Sequence, residues 1–412
     1  MPAHKNTTCR YCHSNKLYKF LSLGNHPPSN SFIPADKVQF EERFPLEVYL
    51  CESCYLVQLL DVVPAETIFT EYVYLASSSQ ALKKHYAQLT GQITERFGLK
   101  SGDVVVDIGC NDGILLSGYS HTGLMKVGVE PSNVGEIAAQ AGFKIFKGFF
   151  SPETAREIIK TCGKVKIATA TNVFAHVDNI GRFADGVSLL LDNDGVFIIE
   201  ASYLIDLIDQ TLFDTIYHEH LCYISLTPLV PFLAKHGLEV FDVTRVPFGA
   251  SGPAIRVYAQ KNKGPRPISN SVPEMLEAER LWGVGKIDRY KGYADKVNEI
   301  KLKVTELIRT LRKKGFTVGG YGAPAKGNTL LNYFNITSDL ITEIAETNKL
   351  KQNLLTPGSH IPIVSEDHFL KKMPDYALLL SWNYLDFFLK NSEYIRRGGK
   401  FIVPIPTPTI LP

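Results

Sequence analysis

A buried strand that runs into a glycine-containing turn is the feature that most constrains this chain. Residues 104–113 read VVVDIGCNDG, and a helix-like segment, Ile114-Leu115-Leu116, follows them. A second apolar strand, Val127-Gly128-Val129, ends in Glu130. In an open α/β sheet, ligands bind at the carboxyl ends of the strands, where an acid after the second strand can hold both ribose hydroxyls. The pattern therefore predicts an α/β sheet that binds a nucleoside.

The turn itself narrows the choice of nucleoside. It lacks the G-x-G-x-x-G triplet with which dinucleotide enzymes bring the backbone close to a pyrophosphate, and this disfavours a dehydrogenase. A ligand with a ribose but no phosphate fits better, and S-adenosylmethionine is the common one. The alternative is an ordinary strand–turn–helix unit of any α/β enzyme.

Strand-like and helix-like segments alternate around this turn, as they do in a doubly wound sheet. The pattern predicts helices over 81–97 and 134–141, and further strands over 144–146, 167–170 and 195–200. The carboxyl ends of these strands are expected to face one crevice.

A second α/β unit follows a basic, proline-containing linker at 261–268. The amphipathic stretch 273–314 predicts one or two helices. A strand beginning at Phe316 then enters the glycine-rich turn 319–328, which contains Lys326. Such a turn offers backbone N–H groups to an anion, and the lysine adds a positive charge. We therefore expect a second, phosphate-type site here.

Two C-x-x-C pairs near the start of the chain predict a zinc site. Cys9 and Cys12 form one pair, and Cys51 and Cys54 form the other. Four thiolates complete a tetrahedral shell, so the metal is expected to be structural. The alternative is four reduced cysteines without metal, in a small segment with little core. The two histidines of His218-Glu219-His220 stand two residues apart, not at i and i+4, so a second zinc there is not expected.

Composition excludes several classes of protein. Apolar residues make up 45% and charged residues 21% of the 412, as in ordinary globular proteins. The net charge is +2, with Lys and Arg spread along the chain, which argues against a nucleic-acid partner. No apolar run approaches the roughly 18 residues of a membrane span, and the start has no signal-peptide core. We expect a cytoplasmic monomer with three domains, at 1–62, 63–262 and 263–412.

The motifs together resemble one family. The paired C-x-x-C module, the DIGCNDG turn at 107–113, the YHEHLCY segment at 217–223 and the GYGAPAKGN turn at 320–328 are similar to those of sugar C-methyltransferases of deoxysugar biosynthesis. Those enzymes methylate a ring carbon of a nucleotide-linked 4-keto-6-deoxyhexose. The resemblance covers nearly the whole chain. It implies a Rossmann-like S-adenosylmethionine-dependent methyltransferase domain between a small zinc-binding N-terminal domain and a second Rossmann-like C-terminal α/β domain.

The resemblance also implies roles for particular residues. Cofactor contacts are expected from Asp107, Gly109, Asn111, Glu130, Pro131, Phe149 and Asn172. The catalytic group would be Tyr217, Glu219 and His220, with Tyr72 or Tyr74 facing the substrate. Contacts with a dTDP- or GDP-linked sugar are expected from Gly322, Lys326, Asn328, Tyr223, Arg256 and His176.

One stretch departs from the family pattern. Similar enzymes tend to have a compact Gly-Gly-Ser-x-Arg turn after the catalytic segment, whereas residues 248–256 here read FGASGPAIR. The change bears on the identity of the sugar or nucleotide more than on the reaction class.

Carbon methylation requires a base because carbon is a poor nucleophile. A ketone at C4 acidifies the proton at C3 or C5, and a base whose pKa lies near ambient pH can remove it. His220 meets that condition, with Glu219 orienting its ring or holding a sugar hydroxyl, and tyrosine hydroxyls can stabilise the enolate. Methylation of an oxygen or nitrogen of a nucleotide sugar is the alternative activity. A non-catalytic zinc-ribbon binding protein is the alternative from another class.

Overall fold

The computed structural model describes residues 3–69, 75–121, 123–249 and 252–412. Tyr72 and Tyr74, which were expected at the substrate, lie outside these residues. Three units follow one another along the described chain, each with its own sheet.

The N-terminal unit contains two small antiparallel sheets. Its strands are β1 (His4–Lys5), β2 (Leu17–His26), β3 (Phe44–Cys51), β4 (Val57–Leu59) and β5 (Asp61–Val62), with a 3-10 turn at Ala35–Phe40. Strand β1 pairs with β5, and β2, β3 and β4 form the second sheet, which a strand from the middle of the chain, Cys222–Tyr223, completes by pairing with β4. Helices α1 (Ala65–Phe69) and α2 (Gln80–Phe97) lead into the middle unit. The N-terminal module is therefore joined to the middle unit by backbone hydrogen bonds, which its own sequence does not reveal.

The middle unit is a seven-stranded sheet with helices on both faces. Its elements are β6 (Val104–Ile108), α3 (Ile114–Gly118), β7 (Met125–Glu130), α4 (Gly135–Gln140), β8 (Lys144–Lys147), α5 (Pro152–Cys162), β9 (Val165–Thr171), α6 (Ile180–Leu190), β10 (Leu191–Ser202), α7 (Leu204–Asp209), β11 (Cys222–Tyr223), α8 (Leu226–Lys235), β12 (Leu238–Gly249) and β13 (Gly252–Lys261). Of these, β11 belongs to the N-terminal sheet. The strand order is β12-β13-β10-β9-β6-β7-β8, parallel from β10 to β8 and antiparallel at β12 and β13. The strands predicted from the alternating pattern are confirmed.

Local sequence explains why these elements form. Every residue of β6 is buried, as expected for a central parallel strand with helices on both faces. Helix α5 begins where the Ser151 hydroxyl accepts the amide of Thr154, with Pro152 in its first turn. Helix α2 ends at Gly98, which has the left-handed conformation that favours glycine.

The C-terminal unit is a six-stranded sheet preceded by two long helices. Its elements are α9 (Ser271–Trp282), α10 (Ile287–Lys313), β14 (Val318–Tyr321), α11 (Ala325–Phe334), β15 (Ile344–Glu346), β16 (Ile363–Ser365), α12 (Glu366–Lys372), β17 (Tyr376–Leu379), α13 (Leu385–Asn391), α14 (Glu393–Arg396), β18 (Lys400–Val403) and β19 (Thr409–Leu411). Helix α10 buries one stripe of residues spaced by three or four, including Tyr293, Val297, Ile300 and Val304. The amphipathic stretch thus forms two helices.

The C-terminal sheet repeats the plan of the middle sheet. Its order is β16-β15-β14-β17-β18-β19, and all strands but β19 are parallel. In each sheet, the strand that enters the turn lies between the next strand along the chain and the third strand after it. Strand β6 lies between β7 and β9, and β14 lies between β15 and β17. Both turns therefore open at the carboxyl edge of a sheet, where the strand order reverses and ligands bind.

Within the described residues, no helix is both long and apolar enough to cross a membrane.

Candidate active site

The turn between β6 and α3 is so tight that only glycine fits its first bend. The amide of Gly109 donates to the carbonyl of Val129 at 2.8 Å, and its φ is +72°. A Cβ here would lie 2.4 Å from Cγ2 of Val173, the residue two positions after β9. Glycine at this position therefore lets the Val173 side chain pack directly against the turn.

Glu130 ends β7 and lays its carboxylate over the same turn. Its Oε2 accepts the amide of Asn111 at 2.8 Å, and its Oε1 accepts the amide of Ser132 at 3.0 Å. A carboxylate offers about four lone-pair sites, so both oxygens can accept further hydrogen bonds. Half-buried Pro131 follows directly. The geometry suits two neighbouring hydroxyl donors of a ribose.

Polar atoms without partners stand beside this turn. The Nδ2 of Asn172 and the Oδ1 of Asp112 are buried and have no hydrogen-bond partner among the described residues. Asp107 accepts the hydroxyl of Thr169 at 2.6 Å, and burial raises the pKa of Asp107 to about 7. Unsatisfied buried donors and acceptors are costly. They fit a ligand that carries both kinds of group, as S-adenosylmethionine does.

Two further predicted cofactor residues lie at the rim. The Oδ1 of Asn111 accepts the amide of Ala76 at 2.9 Å, so this side chain ties the turn to the segment before α2. The ring of Phe149, on the loop after β8, is 43% exposed. An exposed aromatic ring at that edge suits a stacking contact with an adenine.

Aromatic rings from three segments converge on His220. The ring centroid of Tyr217 lies 4.0 Å from that of His220, and the His176 ring stacks on His220 at a centroid distance of 5.0 Å. Phe69 stacks on His176 at 5.9 Å. Because His176 follows β9, as Asn172 does, this cluster stands at the same sheet edge as the cofactor turn. The structure thus brings together residues that the sequence places far apart.

The hydrogen bond to His220 fixes which nitrogen is basic. Its Nδ1 lies 2.6 Å from the carbonyl oxygen of Thr215. Since a carbonyl only accepts, Nδ1 carries the proton and Nε2 carries the lone pair. Burial lowers the pKa of His220 to about 4, so the expectation of a base whose pKa lies near ambient pH is wrong for this side chain. At neutral pH the ring is therefore a neutral base whose orientation is set by the backbone.

Glu219 is tied to the N-terminal unit. It is 3% exposed, and its Oε1 accepts the amide of Asn30 at 2.7 Å. The preceding His218 contacts the carbonyl of Pro45 in that unit at 3.2 Å. Of the two roles expected for Glu219, orienting the His220 ring is one that the Thr215 carbonyl fills. This favours the other role, a contact with a substrate hydroxyl.

The glycine turn of the C-terminal unit holds a buried lysine. Gly322 has a φ of +79°, and Lys326 follows in the first turn of α11. The Lys326 ammonium lies 3.9 Å from Asp214 and 4.2 Å from the Trp382 ring. Burial lowers the pKa of Lys326 and raises the pKa of Asp214, so both charges are poorly stabilised. An anion that enters here would stabilise the charged lysine.

This second turn is a neighbour of the aromatic cluster. Asp214 lies on the same loop as Tyr217 and His220, and the hydroxyl of Thr329 donates to the carbonyl of Ile216 on that loop. Asn328 is buried and donates to the carbonyl of Ser29 at 2.7 Å, so its amide joins the C-terminal unit to the N-terminal one.

Two predicted substrate residues lie elsewhere. Tyr223 is in the hydrophobic core on β11, where its hydroxyl has no hydrogen-bond partner among the described residues and burial raises its pKa. Arg256, on β13, pairs with Glu200 at 2.8 Å and with Gln92 at 3.2 Å. The structure does not bring either residue to His220, and their roles at the substrate remain predictions.

The four cysteines of the N-terminal unit form one cluster. Their sulfur atoms all lie within 4.8 Å of one another, with Cys9 and Cys54 at 3.5 Å and Cys12 and Cys51 at 3.6 Å. A tetrahedron of Zn–S bonds about 2.3 Å long separates its sulfurs by about 3.8 Å. The cluster therefore fits zinc, and four protein ligands leave no position for a substrate.

The fold and these sites define a class: an S-adenosylmethionine-dependent methyltransferase with a zinc-binding domain. Sequence comparison agrees along the chain. Residues 9–69 match the family model of a zinc-binding domain, residues 82–243 that of a methyltransferase domain, and residues 249–406 that of a C-methyltransferase C-terminal domain.

A full-length relative settles the family. The C-methyltransferase NovU of Streptomyces niveus is 35% identical over 406 residues, which are 98% of this chain and 96% of the relative. The chain belongs to this family of C-methyltransferases. It is an S-adenosylmethionine-dependent enzyme with a structural zinc, and the O- or N-methylating and non-catalytic alternatives are wrong.

Two solved methyltransferase structures each cover less than half of the chain. The magnesium protoporphyrin IX methyltransferase of Synechocystis is 13% identical, covers 43% of this chain and 83% of its own, and has a TM-score of 0.35. A methyltransferase of Anabaena variabilis is 15% identical, covers 48% of this chain and 99% of its own, and has a TM-score of 0.34. Similarity at this level supports no argument about function.

Several residues at these sites were not predicted from the sequence. Asn30, Asp214 and Trp382 contact predicted residues, but no motif marks them. Glu346 could have been found, because it ends the apolar strand Ile344-Ala345-Glu346 after the second turn, just as Glu130 ends its strand after the first.

Proposed function

We propose that this enzyme methylates a ring carbon, C3, of a nucleotide-linked 4-keto-6-deoxyhexose. One observation carries the proposal: a single buried loop, Phe213–His220, touches both crevices. His220 stacks on His176 after β9 of the middle unit, while Asp214 contacts Lys326 at the second turn. A nucleotide sugar held at the second turn can extend its sugar toward His220.

The side chains on this loop can form an enolate. The Nε2 of His220 is the acceptor for the carbon-bound proton next to the ketone, because Nδ1 is committed to the Thr215 carbonyl. Such general-base help contributes typically 10²–10⁴-fold. In this scheme the Tyr217 hydroxyl donates to the enolate oxygen, and Glu219 accepts a sugar hydroxyl. Bound S-adenosylmethionine supplies the methyl group as an electrophile, so no redox step is required.

Each unit has one task in this scheme. With boundaries at 1–62, 63–262 and 263–412, the first unit carries zinc, the second the cofactor, and the third the nucleotide diphosphate through Gly322, Lys326 and Asn328. Tyr72 and Tyr74 keep their proposed role facing the sugar.

Mass spectrometry of the nucleotide sugar in D₂O tests the proposal. The enzyme is incubated with dTDP- and GDP-linked 4-keto-6-deoxyhexoses, with and without S-adenosylmethionine. We expect one of the two sugars to gain a methyl group on C3. When S-adenosylmethionine is left out, the same sugar should exchange its C3 proton for deuterium. A methyl group on C5 would show that C5, and not C3, is the reacting carbon. No reaction with either sugar would reject this substrate class.

A further inference from the structure

Glu346 repeats, at the second turn, the geometry that Glu130 has at the first. Its Oε2 accepts the amide of Ala323 at 2.8 Å, and its Oε1 accepts the amide of Asn348 at 2.8 Å. The corresponding distances to Glu130 are 2.8 Å from Asn111 and 3.0 Å from Ser132. In both cases one amide comes from the turn, and the other lies two residues after the acid.

The backbone around the two acids matches as well. Gly322 donates to the carbonyl of Ala345 at 2.8 Å, as Gly109 does to that of Val129. A Cβ on Gly322 would lie 2.4 Å from Oγ of Ser381, just beyond β17, as one on Gly109 would from Val173 just beyond β9. Each acid therefore has the same position relative to a strand end, a tight turn and the space above it.

The free lone pairs of Glu346 indicate which ligand group it can hold. Oε1 receives the Asn348 amide and a longer 3.4 Å contact from the Thr347 hydroxyl, while only the Ala323 amide is bonded to Oε2. The side chain is half-buried, so a ligand can reach it. An ionised carboxylate only accepts hydrogen bonds, and its natural partners in a crevice of this kind are sugar hydroxyls.

The second crevice differs from the first by its cations. The Lys351 ammonium is buried, donates to the carbonyl of Ala323 at 2.8 Å and stacks on the Phe32 ring at 4.6 Å. With Lys326, which lies 3.9 Å from Asp214, it places two lysine ammonium groups at the turn that Glu346 covers. This combination fits a ligand with both an anionic group and a hydroxyl-bearing sugar, as in a nucleoside diphosphate.

We infer that Glu346 is a binding residue for the ribose or deoxyribose of the substrate's nucleotide, accepting a hydrogen bond from its 3′-hydroxyl and, in a ribonucleotide, from its 2′-hydroxyl. The inference rests on the proposed function, because it takes the nucleotide to occupy the second turn. It assigns to the C-terminal unit the kind of sugar contact that Glu130 makes in the middle unit.

The test combines a change in the ligand with a change in the protein. Calorimetry would measure the Kd of wild type and Glu346→Gln for dTDP and GDP and for their 3′-deoxy forms, 3′-deoxythymidine diphosphate and 3′-deoxyguanosine diphosphate. For whichever base binds, loss of the hydroxyl is expected to weaken binding to wild type about tenfold or more, and binding to the variant little. Glu130→Gln is the matched control, since it should weaken S-adenosylmethionine binding and leave the effect of the nucleotide hydroxyl intact.

The outcomes separate the inference from the proposed function. If wild type binds dTDP or GDP but does not distinguish the 3′-deoxy form, or if Glu346→Gln distinguishes it equally well, Glu346 does not hold the sugar. If wild type binds neither nucleotide, the proposed function fails and this inference fails with it. Unchanged affinity of Glu346→Gln for S-adenosylmethionine shows that the variant is folded, and the comparison of ligands on wild type needs no variant at all.

Discussion

The middle and C-terminal units share one sheet plan, yet their turns carry different charges. Three acids, Asp107, Asp112 and Glu130, stand at the middle turn. At the C-terminal turn two acids, Glu346 and the buried Asp214, are accompanied by two lysines, Lys326 and Lys351. S-adenosylmethionine is a sulfonium cation with an ammonium group, whereas a nucleoside diphosphate is an anion.

The difference shows how one backbone device can serve two ligands. The strand, the tight glycine turn and the acid that ends the next strand are common to both units, so we expect the charges around the turn to decide what binds. The loop that carries His220 lies between the two turns, and the zinc unit touches that loop through Asn30. The following predictions test this division of roles, beginning with the largest expected effect.

Removing one zinc ligand should have the largest effect, because the zinc unit supports the loop between the two crevices. Structural zinc contributes on the order of 10 kcal/mol to small domains of this kind. We expect Cys51→Ser to lose zinc and turnover together, measured by metal analysis and methyl transfer. Cys162→Ser changes a half-buried cysteine outside the cluster and should retain both. A zinc-free Cys51→Ser enzyme with normal turnover would remove the zinc unit from the comparison.

Replacing the base should stop turnover without emptying either crevice. We expect His220→Gln to lower kcat by roughly 10²–10⁴-fold, since that is the usual contribution of a general base. The Kd values for S-adenosylmethionine and for the nucleotide should stay near those of wild type, as calorimetry would show. Retained turnover would exclude His220 as the base, and loss of one ligand would place it in that ligand's crevice.

Acid should destabilise the fold through the same residue. The pKa of His220 is lowered by burial to about 4 in the folded chain, against about 6.5 when unfolded. Below pH 6.5 the unfolded chain therefore gains a proton that the folded chain does not. Stability should fall between pH 6.5 and 4, by on the order of 3 kcal/mol from this group. Urea unfolding at pH 7 and pH 5 should show a smaller difference for His220→Gln than for wild type; an equal difference would contradict the shift.

Both turns could be predicted from sequence because each is a local pattern. An apolar strand, glycines and a short helix lie within a few residues of one another. Each C-x-x-C pair is likewise a local pattern, and the two pairs together predict a metal site. The cysteine cluster and the alternating strands and helices around the first turn agree with those predictions.

The joints between units could not be predicted. Asn30 and Glu219 are 189 residues apart, and β11 joins a sheet whose other strands come from the first 62 residues. Nothing local favours such pairs, since they form only when the three units have packed against one another. Arg256 shows the same limit: its sequence position suggested a substrate contact, but the fold also offers it Glu200 as a buried ion-pair partner.

Neutralising one charge at either turn should weaken the binding of only the ligand at that turn. Glu130→Gln is expected to weaken S-adenosylmethionine about tenfold, because it weakens hydrogen bonds to a charged acceptor. Lys326→Met should weaken the nucleotide by a similar factor, through loss of a charge-assisted contact with phosphate. Calorimetry with both ligands on both variants would give the four values. If either variant lowered the affinity for both ligands equally, the two crevices would not be independent.

Only a small change in kcat is expected when the contact that joins the zinc unit to the loop carrying His220 is removed. The Asn30 amide donates to Glu219, which is buried, so its removal should leave that carboxylate less firmly oriented toward the substrate. We expect Asn30→Ala to lower kcat several-fold, since the net value of one hydrogen bond is about 1 kcal/mol. Affinity for S-adenosylmethionine should not change, because the first turn is untouched. Ser31→Ala, at an exposed neighbour in the same loop, should behave as wild type. If the two variants had equal kcat, the zinc unit would support the fold without helping to position Glu219.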